Sequence, residues 1–87
     1  MMRQRGSYAY SASHRAYRFF FFSRETGEPA HIHIEAGEKE AKVWLANVHL
    51  AMSYGFKAHE ITELLALVKE HKEFLLEAWN EFFSPQH

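Results

Sequence analysis

Four consecutive phenylalanines, Phe19 to Phe22, constrain the fold of this chain more than any other feature. The run Ala16-Tyr17-Arg18-Phe-Phe-Phe-Phe-Ser23 is rich in strand-favouring aromatics and too short for a stable helix. In a strand, Phe19 and Phe21 point to one face while Phe20 and Phe22 point to the other, so both faces need cover. The run therefore reads as a central strand or as one at an oligomer contact.

Two further strands follow. In His31-Ile32-His33-Ile34-Glu35 the two isoleucines face one way, and both histidines and the glutamate face the other. Gly27 and Pro29 mark the turn before this strand, and Gly37 marks the turn after it. The run from Ala41 to Ala46 puts Val43 and Leu45 on one face and Lys42 and Trp44 on the opposite one. Between Asn47 and Phe56 the pattern weakens to at most a short fourth strand, and Gly55 marks the next turn.

Residues 58–83 carry Ile61, Leu64, Leu65, Val68, Leu75, Ala78, Trp79, Phe82 and Phe83 at the three-and-four spacing of one helical face. Glu and Lys fill the other face, and Pro85 stops the helix. His71-Lys72 interrupts the apolar stripe, which leaves open either one long helix or two helices jointed near residue 71. Lys57 is a poor N-cap, so the helix start frays unless Ser53 or a backbone partner compensates. The fold class is α+β: a small antiparallel sheet of three or four strands packed against a long C-terminal helix. Residues 1–15 read as a flexible basic arm, 16–83 as a single domain and 84–87 as a tail.

At 87 residues the chain has room for one domain, and the absence of cysteine excludes disulfides, thiol catalysis and cysteine zinc sites. That absence fits a cytoplasmic protein. No apolar run suits a membrane span or a signal peptide. The net charge of −1 hides a split: residues 1–24 hold five arginines and no acid, whereas residues 25–87 hold five lysines against eleven glutamates. An arginine-only segment can meet phosphate or carboxylate, so RNA is a candidate partner of the arm, while the acidic remainder repels nucleic acid. The alternative is that the arginines neutralise the protein's own acidic helix.

Of seven histidines, His31 and His33 carry the chemical question. Their i,i+2 spacing on a strand places two imidazoles on one face, and Glu35 continues it. No cofactor is expected; two histidines and a carboxylate nonetheless suit a divalent metal with open positions, the one cofactor these residues could hold. Cupins share the HxH and a following glutamate, here His33 and Glu38, but 87 residues cannot supply their double-sheet barrel. A histidine-triad hydrolase needs a third histidine where Glu35 stands. Without metal, the same histidines beside Arg18 or Arg24 suit acid–base cleavage of a phosphodiester. With neither chemistry, they are hydrogen-bonded packing residues. Lys42, Trp44 and Arg24 form a candidate binding surface, with Lys42 and Trp44 on the histidine side if the hairpin register allows. His49, His59 and His71 make no local ligand set; His59 and His71 read as solvent-facing and His87 as a tail residue.

Taken together, the aromatic strand ending in Ser23, Glu28-Pro29-Ala30-His31-Ile32-His33, Ala41-Lys42-Val43-Trp44-Leu45, Gly55-Phe56 and the Trp79 to Phe83 ending resemble the bacterial domain-of-unknown-function family 4160 over residues 16–83. Members tend to carry Pro where Ala30 stands and a capping Ser where Lys57 stands. The resemblance implies no established activity. It implies a small protein from a two-gene, toxin–antitoxin-like pair, which favours a protein partner or a homodimer over a metabolite. The reading that follows is an interaction module; the alternative is a small enzyme, metal-dependent or ribonuclease-like, that uses the HxH strand.

Overall fold

The computed structural model describes residues 8–24 and 27–83. Five strands, β1 (Tyr8–His14), β2 (Tyr17–Phe22), β3 (His31–Ala36), β4 (Lys39–Trp44) and β5 (His49–Tyr54), form one antiparallel sheet in chain order. Two helices follow, α1 (Ala58–Glu70) and α2 (Lys72–Phe83). The α+β class is as expected, and the sheet has five strands rather than three or four. The fourth strand expected between residues 47 and 56 is β5. No helix among the described residues is long and apolar enough to cross a membrane.

The additional strand is β1, which occupies residues 8–14 of the 1–15 stretch read as a flexible arm. Its Ser and Ala residues have weak strand preference, and this hides it from a propensity reading. What holds it is pairing with the aromatic strand, Tyr8 opposite Phe22 and Tyr10 opposite Phe21. The register shift between these pairs is a bulge at Ala9, so Tyr8 and Tyr10 lie on opposite faces although they are two residues apart. The expectations for residues 1–7 of the arm, for the 84–87 tail with Pro85, and for His87 lie outside the described residues.

The turns follow from local chemistry. Ala36 pairs with Lys39 across a two-residue loop, and Gly37 at φ 64 supplies the positive first position of a II′-type hairpin. Arg15 holds the equivalent place between β1 and β2 at φ 59, and its guanidinium reaches Glu63 of α1 at 3.2 Å. Between β5 and α1, Gly55 sits at φ 86, and a Cβ there would lie 2.9 Å from Cγ of Lys39.

Both helices cover one face of the sheet. Tyr17, Phe19 and Phe21 of β2, Ile32 and Ile34 of β3 and Ala41 and Val43 of β4 form a single buried cluster with Leu64, Leu67, Val68, Leu75 and Trp79. The long C-terminal helix is not continuous: of the two readings left open, two helices jointed near residue 71 is the one the structure shows. His71 donates its N–H to the carbonyls of Leu67 and Val68, and the His71 carbonyl accepts from Leu75, so the chain turns with only one residue out of helix. The phase change alters the stripe: Leu67 is buried, whereas Phe82, expected on the core side, is 49% exposed. The start of α1 is tied down without Ser53. The Lys57 side chain has no acceptor, but its backbone N–H donates to the Glu60 carboxylate at 2.8 Å, and Lys39 Nζ donates to the same carboxylate at 2.7 Å. Hydrogen bonding from Lys39, then from the Lys57 backbone, holds Glu60 below the usual carboxylate range.

Candidate functional site

The sheet face turned away from the helices gathers the residues singled out from sequence. Cross-strand pairing sets Arg18 opposite Glu35 and Phe20 opposite His33. On the next strand His33 lies opposite Lys42, and His31 opposite Trp44. The hairpin register therefore puts Lys42 and Trp44 on the histidine side. β5 extends the row, with Met52 opposite Lys42 and Tyr54 opposite Glu40. A bulge between Lys42 and Val43 keeps His49, Met52 and Tyr54 on this face.

The two imidazoles occupy different environments. His31 is completely buried at the start of β3, where its ring lies 4.8 Å from Trp79 of the helix layer, 5.1 Å from His33 and 5.7 Å from Trp44. Its Nδ1–H donates to the Pro29 carbonyl at 3.0 Å, since a carbonyl can only accept. This histidine pins the end of the open face to the helix layer, and its burial keeps it out of reach of a dissolved substrate. His33 lies flat against Phe20, with centroids 5.4 Å apart and planes at 19°, and also contacts Phe22.

The third candidate ligand points elsewhere. Glu35 Oε1 is 3.3 Å from Nη2 of Arg18, with which it forms an ion pair. Among the described residues, no group of three or more histidine and glutamate side chains is placed to hold a metal ion. His31, His33 and Glu35 thus share a face without converging on one point: two rings engage aromatic neighbours and the carboxylate engages an arginine.

The cations of this face lie over aromatic rings. The Arg18 guanidinium sits 4.8 Å from the Phe20 centroid and 5.0 Å from that of Tyr8, and Nη2 donates to the Tyr8 hydroxyl at 2.8 Å. Phe20 is consequently only 2% exposed although it points away from the helices. Lys42 Nζ lies 4.7 Å from the Trp44 ring and donates to Glu28 at 2.7 Å. Arg18 and Lys42 are each matched by a carboxylate, so this part of the face combines aromatic surface with balanced charge. Arg24 stands apart, exposed in the turn after β2.

Sequence reasoning missed Tyr8, Met52 and Tyr54. Their type was visible as aromatics and methionine in strand-length segments, but a strict two-residue alternation fails at each bulge, and nothing in the sequence marks either bulge. Tyr54 and Met52 are 70% and 44% exposed, so the β5 end is the part of this face most open to a partner.

The architecture is that of a small α+β protein: a five-stranded antiparallel sheet with a broken helix on one face and an aromatic, charge-balanced surface on the other. The chain belongs to the family described as a domain of unknown function (DUF4160), which it matches over residues 16–80. That stretch begins at β2, spans the open-face residues of β2 to β5 and ends inside α2. No curated protein and no solved structure matches the chain significantly.

Proposed function

We propose that this protein is a cytoplasmic protein-binding module, one member of a toxin–antitoxin-like pair, that docks its partner on the open face of the sheet. The observation that carries the reading is the continuous row from Tyr8 through Phe20, His33 and Lys42 to Met52 and Tyr54, aromatic at its base and exposed at its β5 end. Aromatic residues, methionine and arginine are the types enriched where proteins meet. Nucleic acid is less well served. Phosphate binding draws its affinity from free cations, and the Arg18 and Lys42 charges already lie 3.3 and 2.7 Å from carboxylates.

The test is co-expression with the product of the adjacent gene, followed by co-purification and growth assays. Tyr54→Glu combined with Met52→Glu should abolish co-purification at unchanged melting temperature, because both side chains are already in solvent. Ala66→Glu, on the exposed side of α1, should leave it intact. Co-purification that survives the double variant, or that is lost on ribonuclease treatment, refutes docking of a protein on this face. Growth arrest by either product alone, relieved by the other, supports the paired role; its absence in both directions removes it.

A further inference from the structure

The opposite layer carries a second surface, independent of the open face. We propose that the groove between β1 and α2 is a docking site for a basic, amphipathic segment of a protein partner. The groove has an apolar floor. A cavity of about 220 Å³ lies between β1 and the helices, walled by Tyr10, Phe19, Leu67 and Phe74 together with His14 and His71, whose rings are 5.9 Å apart. Tyr10 and Phe74 also wall a shallower hollow of about 400 Å³ that continues past Ala78 to Phe82, so the two hollows adjoin along α2 across the Tyr10–Phe74 ring pair, whose centroids are 6.0 Å apart.

Its apolar edge is left in solvent. Phe74 and Phe82 are 57% and 49% exposed, and with Ala78 between them they follow the four-residue spacing of one helical stripe. Two half-exposed phenylalanines on one helix edge form a contiguous apolar patch, which in a soluble protein marks a contact surface.

The charge on the rim selects the occupant. Glu77 and Glu81 line the outer hollow, Glu73 stands one turn earlier, and α2 has no basic residue in its last turn. The helix dipole places additional negative potential at the same end. A neutral or acidic apolar segment would bring no countercharge to this rim. A segment with apolar residues on one side and Lys or Arg on the other fills the cavity and pairs the rim at once, the helix-in-groove mode of recognition.

The experiment uses the full chain and two short synthetic amphipathic peptides of the same pattern, one of leucine and lysine, the other of leucine and glutamate. Fluorescence anisotropy measures affinity, and amide NMR shifts locate the contact. The leucine–lysine peptide should bind with shifts at Tyr10, Phe74 and Phe82, and the leucine–glutamate peptide at least about tenfold more weakly. Phe74→Ser should weaken binding about tenfold or more. Glu77→Gln with Glu81→Gln should weaken it several-fold and flatten its salt dependence. Tyr54→Glu on the open face should change nothing, which separates this proposal from the preceding one. If Phe74→Ser lowers the melting temperature, Phe82→Ser reads the same contact. Equal affinity for the two peptides, or shifts confined to the open sheet face, overturns the proposal. So does concentration-dependent dimerisation abolished by Phe74→Ser, which assigns the groove to a second copy of the chain. A large gain in affinity on deleting residues 1–7 likewise overturns it by assigning the groove to the chain's own N-terminal segment.

Discussion

Phe20 and Phe21 are adjacent in the chain, and both are removed from water, by different means. Phe21 lies in the apolar core at 0% exposure, with Trp79 at 4.9 Å, Tyr10 at 5.6 Å and Phe83 at 5.8 Å. Phe20, on the other face, is roofed by the Arg18 guanidinium, the Tyr8 ring and the His33 imidazole, groups that keep polar atoms to offer to solvent or a partner. One face is closed by helices and contributes stability. The other is closed by its own amphipathic side chains.

Truncation separates the two most sharply. Phe21→Ala should cost about 3–5 kcal/mol, since a cavity inside packed helices and sheet collapses poorly. Phe20→Ala should cost about 2–3 kcal/mol, because Arg18 and Tyr8 can settle into the space left. Denaturant unfolding of both variants checks this, and equal losses would show that the open face is as rigidly packed as the core.

Next in size is the hinge from the open face to the helix layer. Gly55→Ala should destabilise by about 1–2 kcal/mol, through its positive φ and its contact with the Lys39 side chain. A thermal shift within error would mean that Lys39 moves aside freely. On the open face itself, Arg18→Met keeps much of the aliphatic cover but removes the charge over Phe20 and Tyr8, and should cost about 1 kcal/mol, part of it lost at high salt. A salt-independent loss would identify plain packing as the roof's contribution.

The smallest effect concerns pH. Glu60 is held below its ordinary value of 4.5 by Lys39 and the Lys57 N–H, so folding favours its ionised form. Its contribution is complete above 4.5 and is lost as pH falls through the depressed folded value. In Glu60→Gln, the melting temperature should fall less steeply on acidification below that point. An unchanged acid limb would assign the loss to other carboxylates.

Much of this was legible along the chain. The phenylalanine run divides between faces as alternation requires, the Ile32/Ile34 and His31/His33/Glu35 division is real in the backbone, and the interrupted stripe at His71 marks the joint between α1 and α2. The edges were less legible. β1 has the composition of an arm and becomes a strand only because the aromatic strand beside it offers hydrogen bonds and rings to Tyr8 and Tyr10. Lys57 offers no side-chain cap, as its type predicts, and what compensates was not legible: the Glu60 carboxylate, which Lys39 of a different element holds in place.

The HxH motif shows where sequence reading stops. Spacing alone put two imidazoles and a carboxylate on one strand face, as two-residue periodicity demands. Whether they converge depends on neighbours that sequence does not order: Trp79 against His31, Phe20 against His33 and Arg18 against Glu35. The sequence by itself determined the α+β class, the aromatic strand and the sidedness of β3 and β4, because periodicity is local. Only the tertiary structure decided the bulges, the burial of His31 and the exposure of Phe74 and Phe82, because each depends on how separate elements meet.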